Sequence, residues 1–252
     1  MPVVVVSDSS SRLPLDERKR RDIREVPLHV LIDGTDLRDG IDEIPFDIHD
    51  RPKVTTAGAS PAELVDTYRQ ALADSKGDGV VAVHLSAALS STYSAAATAA
   101  REFGASVRVV NSRSAAMGVG FIATAAAECA AAGGDIDAVE AAARSARTRS
   151  HVFLVVHRLD NLRRSGRIGT TSSWLGTALS LKPLLKLDVD GRLVLDQRIR
   201  TVSRVDVARS QHHAPGGTDA DRRRTAHGQC MDRLGDLVTG RRADVATVER
   251  QV

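Results

Sequence analysis

Four hydroxyls lie close together in the stretch His84-Leu85-Ser86-Ala87-Ala88-Leu89-Ser90-Ser91-Thr92-Tyr93. They belong to Ser86, Ser90, Ser91 and Thr92. The apolar run 80–85 before them reads as a buried strand, bounded upstream by Gly77-Asp78-Gly79. The alanine-rich run 95–103 after them is a strong helix former that stops at Gly104. The hydroxyls therefore fall between the end of a strand and the start of a helix, where open α/β sheets bind their ligands. Free N–H groups and partial positive charge at a helix start favour an anion there. A hydroxyl-rich helix cap with no ligand accounts for the same residues.

Other stretches offer weaker chemistry. Asp8 opens the run Asp8-Ser9-Ser10-Ser11 directly after the strand 3–6, as a site group or as a turn cap. Thr55 and Thr56 sit in a glycine-containing loop before Ser60-Pro61-Ala62-Glu63. That tetrapeptide is a capping box with proline at the first helical position. Arg163, Arg164, Arg167, Arg198 and Arg200 form a basic group, read either as a solvated face or as an anion- or partner-docking patch. Nothing resembles a Gly-x-Ser-x-Gly elbow, a Gly-Lys-Ser/Thr phosphate loop or a zinc-ligand cluster. No metal or cofactor is expected.

The elements that would position these residues alternate. Strand 3–6 is followed by a short charged helix, 15–21, and a second strand, 26–32, ended by Asp33-Gly34. Residues 36–47 are acidic and broken by Gly40 and Pro45, and read as a loop. A helix from Pro61 to about Asp74 carries Leu64, Val65, Tyr68, Ala71 and Leu72 on one face. Strand 107–110 leads to an alanine-rich helix reaching about Ala132, and Asp135 caps another helix to about Arg147. Gly118 and Gly120 weaken the start of the first of these, which implies a close backbone approach there. The alternation predicts an α/β fold: a mainly parallel sheet with helices on both faces, spanning residues 1–150.

A second, incomplete α+β domain is expected over 151–208. It comprises a strand 151–156, a basic segment 159–168, a short helix 173–181 with the sole tryptophan, Trp174, and a hairpin 183–199. From about Arg209 to residue 252 the pattern stops, with no Ile, Phe, Tyr or Trp. Such a segment buries too little apolar surface to offset its ordering entropy, so a disordered or frame-shifted tail is expected.

Bulk composition narrows the function. The chain has 252 residues, 42% apolar but only 3% aromatic, so its core is aliphatic. Few rings remain to stack bases, and no nucleic-acid partner is expected. No run is long and apolar enough for stable membrane insertion. The N-terminus enters a strand without a signal-peptide pattern. Cys129 and Cys230 lie far apart with no metal spacing, and a cytoplasmic location follows.

Taken together, several segments resemble the DegV family of bacterial fatty-acid-binding proteins, over about residues 3–200. Val5-Val6-Ser7-Asp8-Ser9 is similar to the family's opening strand and turn, and Val26-Pro27-Leu28 with Ile32-Asp33-Gly34 to its second strand. Residues 56–61 resemble a Thr-Ser-x-Pro-Ser loop. Leu89-Ser90-Ser91-Thr92-Tyr93 resembles Leu-Ser-Gly-Thr-Tyr, and residues 159–168 resemble Leu-x-x-Leu-x-x-Gly-Gly-Arg-Ile. Lys182-Pro183 and Asp190-Gly191 fall in step. The resemblance implies a long-chain fatty acid buried in a tunnel between two domains, its carboxylate held by Thr56 and Ser90. Asp8, Ser91 and Thr92 are supporting candidates. It implies a carrier, not an enzyme, that presents the acid to a fatty-acid kinase for phospholipid synthesis. Arg167, matching the signature arginine, is the candidate contact to an acyl phosphate or to that kinase.

The chain departs from the pattern in places. Ala57 and Ala59 replace Ser and Pro of the first loop, which would loosen it. Ser91 and Ser165 replace glycines, at a cost in strain wherever φ is positive. The family's last part, including its histidine, has no counterpart after Arg209, and its role is not carried to His212 or His213. Two other readings stand beside the carrier. One is an enzyme acting on a small phosphorylated or carboxylated substrate through Asp8, Ser90 and the arginines. The other is a truncated, non-functional remnant.

Overall fold

The computed structural model describes residues 2–51, 53–155, 159–168 and 182–199. The expected helix 173–181 and the tail 209–252 lie outside these residues.

In chain order the elements begin with β1 (Val4–Asp8), α1 (Leu15–Arg20), β2 (Ile23–Val26), β3 (His29–Ile32), β4 (Thr35–Arg38) and β5 (Val54–Ala57). Next come α2 (Pro61–Asp74), β6 (Val80–His84), α3 (Thr92–Ala100), β7 (Val107–Asn111), α4 (Met117–Ala131) and α5 (Ile136–Arg149). Last are β8 (Phe153–Val155), α6 (Asp160–Arg164), β9 (Lys182–Leu187) and β10 (Leu193–Ile199). The central sheet has order β2-β1-β6-β7, and every pairing in it is parallel.

Strands of such a sheet are buried on both faces, which explains the unbroken apolar runs of β1 and β6. Alternate residues of these strands serve opposite faces. Val5, Val81 and Val83 pack with Val119, Ile122 and Ala126 of α4 and Val139 of α5. Val4, Val6, Val80 and Ala82 pack with Leu64 and Tyr68 of α2 and Ala96 and Ala99 of α3. The helices thus lie on both faces, as the alternation required, and the core is mainly aliphatic, with Tyr68 in edge contact with Phe103.

Two small antiparallel sheets flank the first. One has order β4-β3-β5, the other β10-β9-β8. The first corrects three expectations. Residues 26–32 are not one strand: Pro27, which has no N–H to give a ladder, separates β2 from β3. The acidic segment is not wholly loop, because the Asp33-Gly34 turn sends the chain straight back as β4. Thr55 and Thr56 lie in β5 rather than in a loop. The capping box at Ser60 and Glu63 forms as expected, and Asp135 caps α5 through the Ala138 N–H. The start of α4 is close-packed, since a Cβ on Gly120 would lie 2.7 Å from the Ser11 carbonyl oxygen.

Candidate functional site

The hydroxyl loop leaves the C-terminal end of β6. Its base is closed by backbone bonds: the Ser86 N–H donates to the Ser114 carbonyl at 2.9 Å, and the Ser86 carbonyl accepts from Leu89 N–H (2.9 Å) and Ser90 N–H (3.1 Å). The Ser86 hydroxyl is buried and donates to the Gly191 carbonyl at 2.8 Å, so it faces the β9–β10 turn and not a ligand. Ser90 is half-buried. Its hydroxyl lies 2.9 Å from the Thr92 hydroxyl and accepts the Thr92 N–H at 3.2 Å. Ser90 therefore caps the start of α3, and one pair of neighbouring hydroxyls sits at that positive helix end. Ser91 is exposed with φ −72°, so replacing the glycine there brings no strain. The same holds at Ser165, because the left-handed residue of that turn is Gly166, φ 72°.

The first loop arrives from β5. Thr56 is exposed, lies opposite Val30 in the ladder, and has no hydrogen-bond partner for its hydroxyl among the described residues. Gly58 comes two residues later and lies close against the second loop. A Cβ on Gly58 would lie 2.6 Å from the Thr92 Oγ1, 3.2 Å from the Thr92 nitrogen and 3.4 Å from the Ser91 Oγ. The backbone just after Thr56 is thus laid directly on the start of α3. Ala57 is exposed, whereas Ala59 is a core residue beside Leu64 and Tyr68, which anchors the loop's far end.

Beneath the first loop, His29 lies opposite Ala57 in the sheet. It contacts Glu63 through Nε2 at 2.9 Å and Asp36 through Nδ1 at 2.8 Å. Burial alone would lower the pKa of His29, but the bonds to Glu63 and Asp36 outweigh it and raise it. Burial likewise works to raise Glu63, yet the Ser60 hydroxyl, the Ser60 N–H and His29 bring it below the usual carboxylate value. A charged pair therefore ties β3 to the first turn of α2.

Arg167 comes to the same place from the second sheet's side. Its Nε donates to the Leu89 carbonyl at 3.1 Å, and its Nη1 to the Ser165 carbonyl at 2.6 Å. Leu89 itself packs against two clusters, the α4–α5 side of the main core and the group Ile168, Leu185 and Leu193 of the second unit. The β9–β10 turn docks nearby: a Cβ on Gly191 would lie 2.8 Å from the Arg113 Cα, and the Arg113 guanidinium donates to the Val189 carbonyl at 3.1 Å.

Asp8 stands lower, at 0% exposure. Its Oδ2 accepts the Leu85 N–H and faces His84 Nδ1, each at 3.0 Å, while its Oδ1 takes the N–H and hydroxyl of Ser10. It is a turn cap and a structural anchor, with no open face for a substrate. A cavity of about 440 Å³ lies at the other end of β1 and β6, beside Val3, Asp78 and Gly133, remote from the hydroxyls.

Two distant segments, each carrying threonine or serine, thus meet at one helix start beside an arginine. The profile of the DegV family, described as an uncharacterised protein family, matches residues 2–206. The chain belongs to the DegV family. The match ends just before the point at which the sequence pattern changes. A DegV domain-containing protein of Mycobacterium tuberculosis is 64% identical over 203 residues, covering 81% of this chain and 72% of that one. Among solved structures, a DegV family protein from Thermus thermophilus, described by its fatty-acid binding, superposes with TM-score 0.75 at 35% identity, covering 83% of this chain and 78% of its own. DegV from Bacillus subtilis, described as a fatty acid binding protein, gives 0.69 at 27% identity, with 84% and 76% coverage.

The sequence marked these hydroxyls as candidates but gave no sign of what holds them. Gly58 had only a turn-like signal, and the contacts of Arg167 with Leu89 and of Gly191 with Ser86 join residues too far apart to leave any local pattern. No helix among the described residues is long and apolar enough to cross a membrane.

Proposed function

We propose that this chain binds a long-chain fatty acid, with the carboxylate held by the hydroxyls of Thr56 and Ser90 at the start of α3. Thr92 orients Ser90, and Ser91 stands beside it. One observation carries the reading: Gly58 seats the Thr56 segment against Thr92 and Ser91, so the two hydroxyl segments converge. The unpartnered Thr56 hydroxyl and the helix start suit an acceptor-only anion. The aliphatic group around Leu89, Ile168 and Leu185 suits an alkyl chain, each buried CH₂ of which contributes about 0.8 kcal/mol. The slot would lie between the parallel-sheet domain, 1–150, and the partial domain, 151–208. The fatty-acid binding described for the Thermus and Bacillus proteins supports the same conclusion.

On this reading the chain is a cytoplasmic carrier that presents the acid to a fatty-acid kinase. Arg167, anchored on the carbonyl that precedes Ser90, faces the acyl phosphate or the kinase. The burial and saturation of Asp8 argue against the enzyme reading, which needed it as a base. Ser90→Ala and Thr56→Ala should each weaken binding by about 1–3 kcal/mol, measured by calorimetric titration. Native mass spectrometry of gently purified protein should show a co-purifying long-chain acid. Unchanged affinity in both variants rejects the site.

A further inference from the structure

Three polar side chains cross the aliphatic core as one connected line. Tyr68 of α2, His84 at the end of β6 and Asp8 at the end of β1 are each 0% exposed. The Tyr68 hydroxyl lies 2.8 Å from His84 Nε2, and His84 Nδ1 lies 3.0 Å from Asp8 Oδ2. A carboxylate only accepts, so Nδ1 carries the proton that it shares with Asp8. Burial, and then the charge of Asp8, push the Tyr68 phenol far above its ordinary pKa, so it keeps its proton and donates to Nε2. The line runs Tyr68 O–H to His84, His84 N–H to Asp8, with every polar group matched.

One end is bonded to the hydroxyl loop and the other packs in the cluster that holds Ala59, at the far end of the Thr56 segment. Asp8 also accepts the N–H of Leu85, the residue that opens the hydroxyl loop, and from there Ser86 folds the chain back onto Ser90. Tyr68 stands two turns into the helix capped by Ser60 and shares a hydrophobic cluster with Ala59, the residue between Gly58 and that cap. Replacing a buried polar group by a hydrophobic one of the same shape is often neutral for stability, so the use of a matched polar line here fits a role in fixing one arrangement.

We infer that Asp8, His84 and Tyr68 are positioning residues whose buried line sets the Ser90 loop relative to the Thr56 segment. The inference rests on the fatty-acid reading for its consequence, but not for its geometry. Tyr68→Phe removes the hydroxyl that donates to His84, Asp8→Asn removes the charge and one of the two acceptor oxygens that His84, Leu85 and Ser10 share, and Val139→Ala in α5 serves as a core control away from the line.

Titration with vaccenic acid should show a tenfold or greater loss of affinity in Tyr68→Phe and Asp8→Asn, and less than twofold in Val139→Ala. In a Ser90→Ala background the same two substitutions should cost less than threefold, because they act through Ser90. In ¹H–¹⁵N spectra without ligand, Tyr68→Phe should move the amide signals of Leu85, Ser90 and Thr92, and Val139→Ala should leave them in place. Equal losses in both backgrounds, or Ser90 and Thr92 signals unmoved by Tyr68→Phe, overturn the inference. If Asp8→Asn does not fold, Tyr68→Phe decides alone. Failure of the unaltered protein to bind vaccenic acid rejects the fatty-acid reading instead, and the spectra still decide whether the line positions the loop.

Discussion

Gly58 matters because of what lies where its side chain would be. The Thr92 hydroxyl occupies that space and the Thr92 nitrogen crowds it, so a methyl group must displace the loop or the start of α3. Gly58→Ala is expected to cost about 1–3 kcal/mol of stability and to weaken fatty-acid affinity at least tenfold, read from urea denaturation and ligand titration. Ala116 presents the opposite case. It precedes α4 with φ 50° and ψ −140°, a region that is essentially glycine's own, and a strained residue of this kind costs about 1–3 kcal/mol. Ala116→Gly relieves that strain and gives back part of it in unfolded-chain entropy. The net expectation is a gain of about 1 kcal/mol, seen as a higher urea midpoint. Residues were legible in the sequence where their chemistry was local. Ser90 and Thr92 declared themselves through a strand–hydroxyl–helix order, and Ser60 through its capping box. Nothing about Gly58 in the chain foretold Thr92, because that contact is set by the folded β5 and α3 together.

Fully buried strands were readable, whereas the exposed strands β4 and β5 were not. β1 and β6 are wholly buried and announce themselves as valine runs. β4 is exposed along three of its four residues, so it carries no apolar alternation, although Asp-Gly is a pair that tight hairpins favour. β3 is also the element that carries a pH dependence. The pKa of His29 is raised from its ordinary 6.5, so the stabilisation it draws from Glu63 and Asp36 is complete below that value and is lost as pH rises through the raised one. Glu63 is depressed from 4.5, so its share is present above that value and is lost as pH falls through the lowered one. The clamp between β3 and α2 is therefore complete between about pH 4.5 and 6.5. Between pH 6.5 and 8.5, unfolding free energy should fall more steeply in the unaltered protein than in His29→Gln, as measured by urea titrations at each pH.

At the scale of the molecule, three polar contacts among the described residues join the parallel core to the β8–β10 side: the Ser86 hydroxyl on the Gly191 carbonyl, Arg113 on Val189, and Arg167 on Leu89. Gly191 has φ 78° and its open side is filled by Ser86 and Arg113, so Gly191→Ala both strains the turn and undocks it. Hydrogen exchange in β9 and β10 should then speed up by roughly 5–150-fold, equivalent to about 1–3 kcal/mol, while β1 and β6 keep their protection. The α/β class and the presence of a second, hairpin-bearing unit could be read from element order alone. The docking could not, since it depends on a glycine's missing side chain and on carbonyls that carry no sequence signal.

Leu89 gives that docking its meaning. A single leucine is shared by two hydrophobic groups, and the very next residue is the serine proposed to greet the guest molecule. On the proposed reading, occupancy at the serine and cohesion between the halves are two sides of one equilibrium. A guest held there would knit the halves together, and whatever prises them apart would let it go.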